Sequence, residues 1–458
     1  AAGARAASSH TGALAGSEAA FRTAFAQCGI IRATSVENLF DLALIFASGK
    51  RTTGKRVAVV TNAGGPGIIA ADAIEKSGLV IASFESDTIN RLRKALPYTA
   101  AVYNPVDVIG DADEKRYKAA LTNVVEDPNV DMICVILTPQ VSTRPLKTAM
   151  VINEVAANTG KPVVTCFMGG PAVRKGIIYL EKHGIPNYPF PERAATAMSA
   201  MAEFCARQKL EQVKIERIPV DIEGARKIME EAKKAGEIDI ADSRARAILK
   251  AYGFHVPKSE IAIDDEEAVK IAQKIGFPVA MKIASPDVLH KSDIGAVKIN
   301  LRDEKDVRTA FTEIVNNTRQ WMPDAKIMGV TVQEMIPHGC DIIIGMSKDP
   351  QFGPMVMVGL GGIHVEVMKD VTFRIAPLGR DDAISMLTEL RAYPILRGIR
   401  GEKPVDMDSL VNSIVMLSQF VCDFPEIVEM DINPLRVFHG QKGAIAIDVR
   451  ITIREGQK

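Results

Sequence analysis

The sequence predicts an α/β protein, a doubly wound parallel-sheet domain followed by a separate α+β domain. Three observations predict it. From Lys55 to His183, short Val- and Ile-rich runs alternate with amphipathic helical patterns, the order that builds a parallel sheet covered on both faces. Composition then shifts after Phe204, where Lys, Glu and Ile crowd the stretch Gln208–Ile240. Beyond that stretch, helical patterns mix with hairpin-like segments and the earlier alternation does not return.

The chain has 458 residues, 47% of them hydrophobic and 24% charged. That is too apolar for a disordered chain, and no run approaches the roughly 18 apolar residues of a membrane helix. Lys plus Arg and Asp plus Glu both number 56, for a formal net charge of zero. A balanced chain lacks the electrostatic footprint of a partner for nucleic acid or an anionic membrane, so neither is expected. The six cysteines lie far apart with no CxxC pair, which points to free thiols in a reducing cytoplasm. The chain opens Ala1-Ala2-Gly3, so a fragment whose N-terminus lies upstream is expected.

Taken in order, Ala1 to Gly16 reads as a small-residue loop carrying Arg5 and His10, and Glu18–Gln27 as a helix stopped by Gly29. Ser35 is placed to cap the next helix, with Leu39, Leu42, Ala43 and Phe46 on its buried face. Strands are expected at Arg56–Thr61, Leu79–Ala82, Val130–Leu137 and Pro162–Phe167. Helices are expected at Ile68–Lys76, Thr88–Leu96, Leu146–Asn158 and Ala172–His183. Gln208–Ile240 reads as linker plus an exposed helix, with the domain boundary near Glu216. Hairpins are expected within Gly329–Met346, Met355–Val367 and Ile427–Val449.

Several segments carry chemistry. In Ser8-Ser9-His10-Thr11-Gly12-Ala13-Leu14-Ala15-Gly16 one imidazole projects from residues small enough to admit a close ligand. Neutral imidazole is a competent nucleophile towards phosphorus, although the stretch also suits a plain surface loop. Thr61-Asn62-Ala63-Gly64-Gly65-Pro66-Gly67 follows a strand and opens a helix, and Met168-Gly169-Gly170-Pro171 repeats that arrangement. Backbone amides at such a helix start can face an anion, and the same glycines suit a tight turn. Lys282 ends an apolar strand, with His290 downstream; a buried lysine demands an anionic partner such as phosphate, whereas one at a strand end can snorkel. Near the C-terminus Asn433 and Asp448 sit in adjacent strand-like segments, offering oxygen ligands of the kind Mg²⁺ takes or simple solvated caps.

Together, the His10 loop, the Gly64–Gly67 turn, Lys282 and the Asn433/Asp448 pair resemble, in order, the acyl-CoA synthetase (NDP-forming) family. It is also called the ADP-forming acetate–CoA ligase family and is related to succinyl-CoA synthetase. The resemblance implies three parts. Residues 1–27 would be a phosphohistidine loop and the tail of an upstream ligase domain, 28–215 a flavodoxin-like CoA-ligase domain, and 216–458 an ATP-grasp nucleotide-binding domain. It implies that His10 is phosphorylated and that His290, in Val288-Leu289-His290-Lys291-Ser292-Asp293, relays phosphate. Lys282 and Glu334 would bind nucleotide, Gly64, Gly65 and Gly67 would steady the phosphohistidine, and Asn433 and Asp448 would hold Mg²⁺.

The implied substrates are ATP or ADP, CoA, a carboxylic acid and phosphate. The implied partners are an upstream CoA-binding domain and further copies of the chain in a homo-oligomer. Two alternatives compete: an acyl-CoA-sensing region of a protein lysine acetyltransferase, and an ATP-grasp carboxylate–amine ligase. An intact His10 speaks against the first, and the second leaves His10 and the parallel-sheet domain without a task.

Overall fold

The computed structural model describes residues 18–208, 215–285, 287–288, 294–361, 370–399 and 401–454. The chain divides into two compact units, one made of Cys28–Gln212 and the other of Ala1–Gln27 with Val213–Lys458. His10 and His290 lie outside the described residues.

The Cys28–Gln212 unit is the doubly wound parallel sheet. Its strands are β1 (Arg56–Thr61), β2 (Val80–Ile81), β3 (Val106–Asp107), β4 (Met132–Leu137) and β5 (Val163–Phe167). They run in the order β2-β1-β4-β5, with β3 also paired to β1 and every pairing parallel. All six residues of β4 are buried, as expected of a central strand with helices on both faces. Helix Glu114–Glu126 covers one face through Tyr117 and Leu121, and helix Pro191–Gln208 covers the other through Met198 and Met201. Neither helix stood out in the sequence, and β3 is too short for a periodicity to show. Asn104 joins β1 to its neighbours, donating to the carbonyls of Val57 and Ala82 and accepting from the Val59 amide at 2.9 Å. These bonds tie β1 to the chain after β2, where the Val57 carbonyl also accepts from the Ala82 amide at 2.9 Å.

Helix Val36–Ala47 does begin at a Ser35 cap, whose side chain accepts from the Asn38 amide. Its buried face is Asp41, Leu42 and Ile45, however, whereas Leu39 is exposed. The difference has a cause outside the helix. Asp41 takes a two-pronged bond from Arg193 at 2.7 and 2.6 Å, which draws that face inward.

The second unit contains two antiparallel sheets. A four-stranded sheet runs β6-β9-β7-β8, from β6 (Ser259–Ala262), β7 (Val279–Ala284), β8 (Val297–Leu301) and β9 (Gly329–Glu334). A six-stranded sheet is built from β10 (Cys340–Asp349), β11 (Gly353–Leu360), β12 (Val371–Ile375), β13 (Ile427–Val437), β14 (Ala444–Ala446) and β15 (Val449–Ile453). Gly329–Met346 is therefore not a hairpin. Its two strands enter different sheets, β9 beside β7 and β10 between β11 and β13. Ile427–Val449 does form one, with β13 and β14 paired.

Helix Ile222–Lys234, expected to be exposed, fully buries Ala225, Met229 and Ala232 in the core of the larger sheet. Its polar residues outnumber these three small or flexible side chains, which masks the stripe in composition. Helix Glu18–Cys28 joins this unit as well. Gln27 donates to the Ile375 carbonyl at 3.1 Å and accepts from its amide at 2.7 Å, and Phe21 meets Phe352 edge-on.

Candidate functional site

The second unit holds a cavity of about 320 Å³ whose walls come from both of its sheets. Thr331 of β9 and Ala284 of β7 contribute from the smaller sheet, and Asp431, Asn433 and Asp448 from the larger. Asp242 adds a further carboxylate at the start of helix Asp242–Ala251. Such a lining, polar and rich in oxygen donors, suits a ligand that brings cations and phosphates.

Lys282 lies behind two of the cavity's carboxylates, while Arg450 contributes a positive charge to the lining itself. Lys282 sits in β7 between Val297 of β8 and Thr331 of β9 and is only 8% exposed. Its ammonium lies 2.9 Å from Asp448 Oδ1 and 3.3 Å from Asp242 Oδ2. The lysine is thus buried and paired with cavity-lining carboxylates, the arrangement that makes a buried ammonium tolerable. Asn433 is drawn to the same place by its amide, which donates to the Asp448 carbonyl at 3.1 Å.

Asp431, next to these groups on β13, has its carboxyl pushed up by burial. Arg450 opposes the shift, while Asp448 and Glu429 add to it. Asp242 Oδ1 is buried without a hydrogen-bond partner, an orphan acceptor in a wall that a bound cation or hydroxyl would satisfy. Among the described residues no three His, Cys, Asp or Glu side chains converge as a metal cage. That donor set fits Mg²⁺, which takes one or two protein oxygens and completes its shell with water and phosphates.

The structure therefore brings Lys282, Asn433 and Asp448 together. Glu334 stands apart, at the far end of β9 from Thr331, where its amide donates to the Lys258 carbonyl at 2.9 Å and its carboxylate accepts from the Lys258 amide at 3.3 Å. Sequence reading missed Asp242 and Arg246. Both belong to an ordinary i, i+4 pair on a helix, and nothing in the spacing signals that the pair faces inward.

Gly64, Gly65 and Gly67 belong to the parallel-sheet unit, where helix Gly64–Lys76 begins three residues after β1. Its N-cap, Ala63, provides no side-chain hydrogen bond, so the first amides keep their capacity to meet an anion. Asn62 secures the turn by donating to the Thr138 carbonyl at 2.8 Å and accepting from the Thr138 amide at 2.9 Å. The glycines differ in purpose. A Cβ on Gly67 would stand 3.0 Å from Thr61 Cγ2, while one on Gly65 would meet nothing within 4 Å. Gly67 is a packing glycine, and Gly65 keeps open space beside the helix start. In the second loop, a Cβ on Gly169 would approach Pro139 to 2.4 Å at φ +143°, so that glycine is a turn requirement.

A flavodoxin-like parallel domain and an ATP-grasp domain of two antiparallel sheets define the class of protein. Models of three families match the chain: the ATP-grasp domain over residues 231–453, the Ligase-CoA domain over 57–210, and the succinyl-CoA ligase-like flavodoxin domain over 1–46. The acetate–CoA ligase [ADP-forming] I of Archaeoglobus fulgidus is 44% identical over 454 residues, 99% of this chain and 64% of that protein. The β subunit of acetate–CoA ligase [ADP-forming] I from Pyrococcus furiosus is 48% identical over 229 residues, 50% of this chain and 97% of the subunit. The α subunit of the Pyrococcus furiosus enzyme II is 42% identical over 205 residues, 44% of this chain and 45% of that subunit. The chain belongs to the ADP-forming acetate–CoA ligase family. It spans about two thirds (64%) of the length of the Archaeoglobus relative.

Proposed function

We propose that this chain carries the nucleotide-handling half of an ADP-forming acyl-CoA synthetase. That enzyme interconverts acyl-CoA, ADP and phosphate with a carboxylic acid, CoA and ATP. The observation that carries the reading is the buried Lys282 held between Asp448 and Asp242 beside an oxygen-lined cavity. Family membership supports it, as do the relatives named for this reaction.

The chemistry balances in three transfers. Phosphate displaces CoA from the acyl thioester, giving an acyl phosphate and the free thiol. A ring nitrogen of His10 then takes the phosphoryl group and releases the carboxylate. Finally ADP accepts that group from the imidazole, with His290 as relay, and ATP leaves. Phosphoryl transfer calls chiefly on positioning and charge neutralisation. Lys282 supplies a fixed positive charge for the nucleotide phosphates, and Asn433 and Asp448 would hold Mg²⁺, which adds charge to the transferring group. The helix start would face phosphohistidine with the amides of Gly64 and Gly65, the Gly67 amide being taken by the Ala63 carbonyl, and Glu334 would contact the base from the end of β9. CoA would be held by a domain upstream of residue 1 in a homo-oligomeric cytoplasmic enzyme. The six free thiols suit the cytoplasm, and the match to separate α and β subunits favours the partner domain.

The test is incubation of the full chain with Mg²⁺ and ATP radiolabelled on its γ-phosphate. Acid-labile, base-stable label on the parent, absent from His10→Ala, is the expected result. Label that persists in His10→Ala removes His10 from the pathway, and label lost in His290→Ala as well supports the relay.

A further inference from the structure

The two carboxylates that hold Lys282 are not equivalent. Asp448 is 44% exposed, and its charge is partly answered by solvent. Asp242 is 19% exposed, and its Oδ2 also receives Arg246 Nη2 at 2.5 Å. Arg246 is itself nearly sealed, its side chain 4% exposed. Its other nitrogen, Nη1, donates at 2.7 Å to Oε1 of Gln333, a buried residue of β9. Because β9 lies beside β7, with Gln333 opposite Ala280 and Thr331 opposite Lys282, this chain of bonds ends on the strand next to the lysine's own.

Swinging Asp242 away would strand the Arg246 guanidinium in the interior, which is prohibitive. Turning Asp448 towards water returns a carboxylate that is already 44% exposed to solvent and leaves the buried lysine its bond to Asp242, so it costs far less. We infer that Asp242, locked by Arg246 and Gln333, is the positioning residue that keeps the Lys282 ammonium at the cleft, and that Asp448 is the exchangeable partner. On ligand entry a phosphate oxygen replaces Asp448 at the lysine, while Asp242 stays. Lys282 thus always keeps one compensating charge, and its side chain needs no rearrangement to bind. The inference rests on the nucleotide reading of the cleft.

A double-mutant cycle separates the two. Binding of MgADP to the full chain is measured calorimetrically for wild type, Lys282→Met, Asp242→Asn and the double variant. Absence of MgADP binding by wild type overturns the nucleotide reading and the inference with it. Given binding, Asp242→Asn is expected to weaken it about tenfold in the wild-type background and about twofold or less once Lys282 is Met, because Asp242 acts through the lysine. Equal factors in both backgrounds overturn the inference while leaving the nucleotide reading intact. Asp242→Glu, which retains the charge, should recover most of the affinity. If Asp242→Asn does not fold, the same cycle run with Asp242→Ser, which also removes the charge, decides by the same two factors.

Discussion

Lys282 Nζ stands 2.9 Å from Asp448 Oδ1, across 166 residues of chain. In this arrangement the ammonium occupies one oxygen of the carboxylate we propose as a Mg²⁺ ligand. On that proposal lysine and metal compete for one group, while Asp242 Oδ1 stays without a partner.

That competition is measurable. Lys282→Met should tighten Mn²⁺ binding in the absence of nucleotide by about threefold to tenfold, because a positive neighbour has been removed from the ligand set. It should change stability by no more than about 1 kcal/mol, since Asp242 keeps Arg246 and Asp448 turns to solvent. Titration followed by the electron paramagnetic signal of free Mn²⁺, alongside urea unfolding, reports both. Unchanged Mn²⁺ affinity would take Asp448 out of the metal site.

The glycine turn of the parallel-sheet unit gives a contrast between neighbours. Gly65→Ala adds a methyl group to open space within a helix and should leave stability unchanged or raise it by up to about 1 kcal/mol. Gly67→Ala presses a Cβ to within 3.0 Å of Thr61 Cγ2 and should lose about 1–2 kcal/mol. Urea unfolding followed by circular dichroism measures each. If the turn receives phosphohistidine, Gly65→Ala should still reduce acid-labile labelling despite its intact fold. Equal behaviour of the two variants in both assays would refute the division of roles.

A pH dependence follows from Asp131. Burial pushes its carboxyl up, but the bonds from Arg56 outweigh that and hold it below the usual carboxylate range, with Thr53 contributing. Oδ2 accepts from both the Arg56 amide and Nε at 2.9 Å, and Oδ1 from Nη2 at 3.0 Å. A depressed folded value means the contribution is complete above the unfolded pKa, near 4, and is lost as pH falls through the folded one. Asp131→Asn should therefore cost about 1–2 kcal/mol at pH 7, and the gap to wild type should narrow steadily below pH 4. Urea unfolding at pH 7 and pH 3 checks the sign. A gap that widens in acid would contradict it.

Much of the site was legible because its signals are local. The β1 strand Arg56–Thr61 was read to the residue, since an unbroken apolar run between a basic residue and a glycine turn has few other uses. Lys282 was legible as a charge in an apolar run, although it was read at the strand's end and β7 continues past it to Ala284. Asp242 was not, because an Asp opening a helix is an everyday cap, and its inward direction depends on where Gln333 lies, 87 residues beyond its partner Arg246. The inward face of Val36–Ala47 was read in part, Leu42 buried but Leu39 and Ala43 exposed, because Arg193 reaches Asp41 across 152 residues.

By itself, the sequence determined the class of fold, the alternation that makes one sheet parallel, and the residue types able to handle phosphate. Those properties reside in periodicity and side-chain chemistry, which neighbours along the chain already express. Tertiary structure decided that β9 and β10 part into separate sheets with the cavity between them, and that one ammonium is shared by two carboxylates. Both outcomes are long-range, set by burial and by the electrostatic penalty of leaving a charge alone in the interior, and no local pattern encodes either.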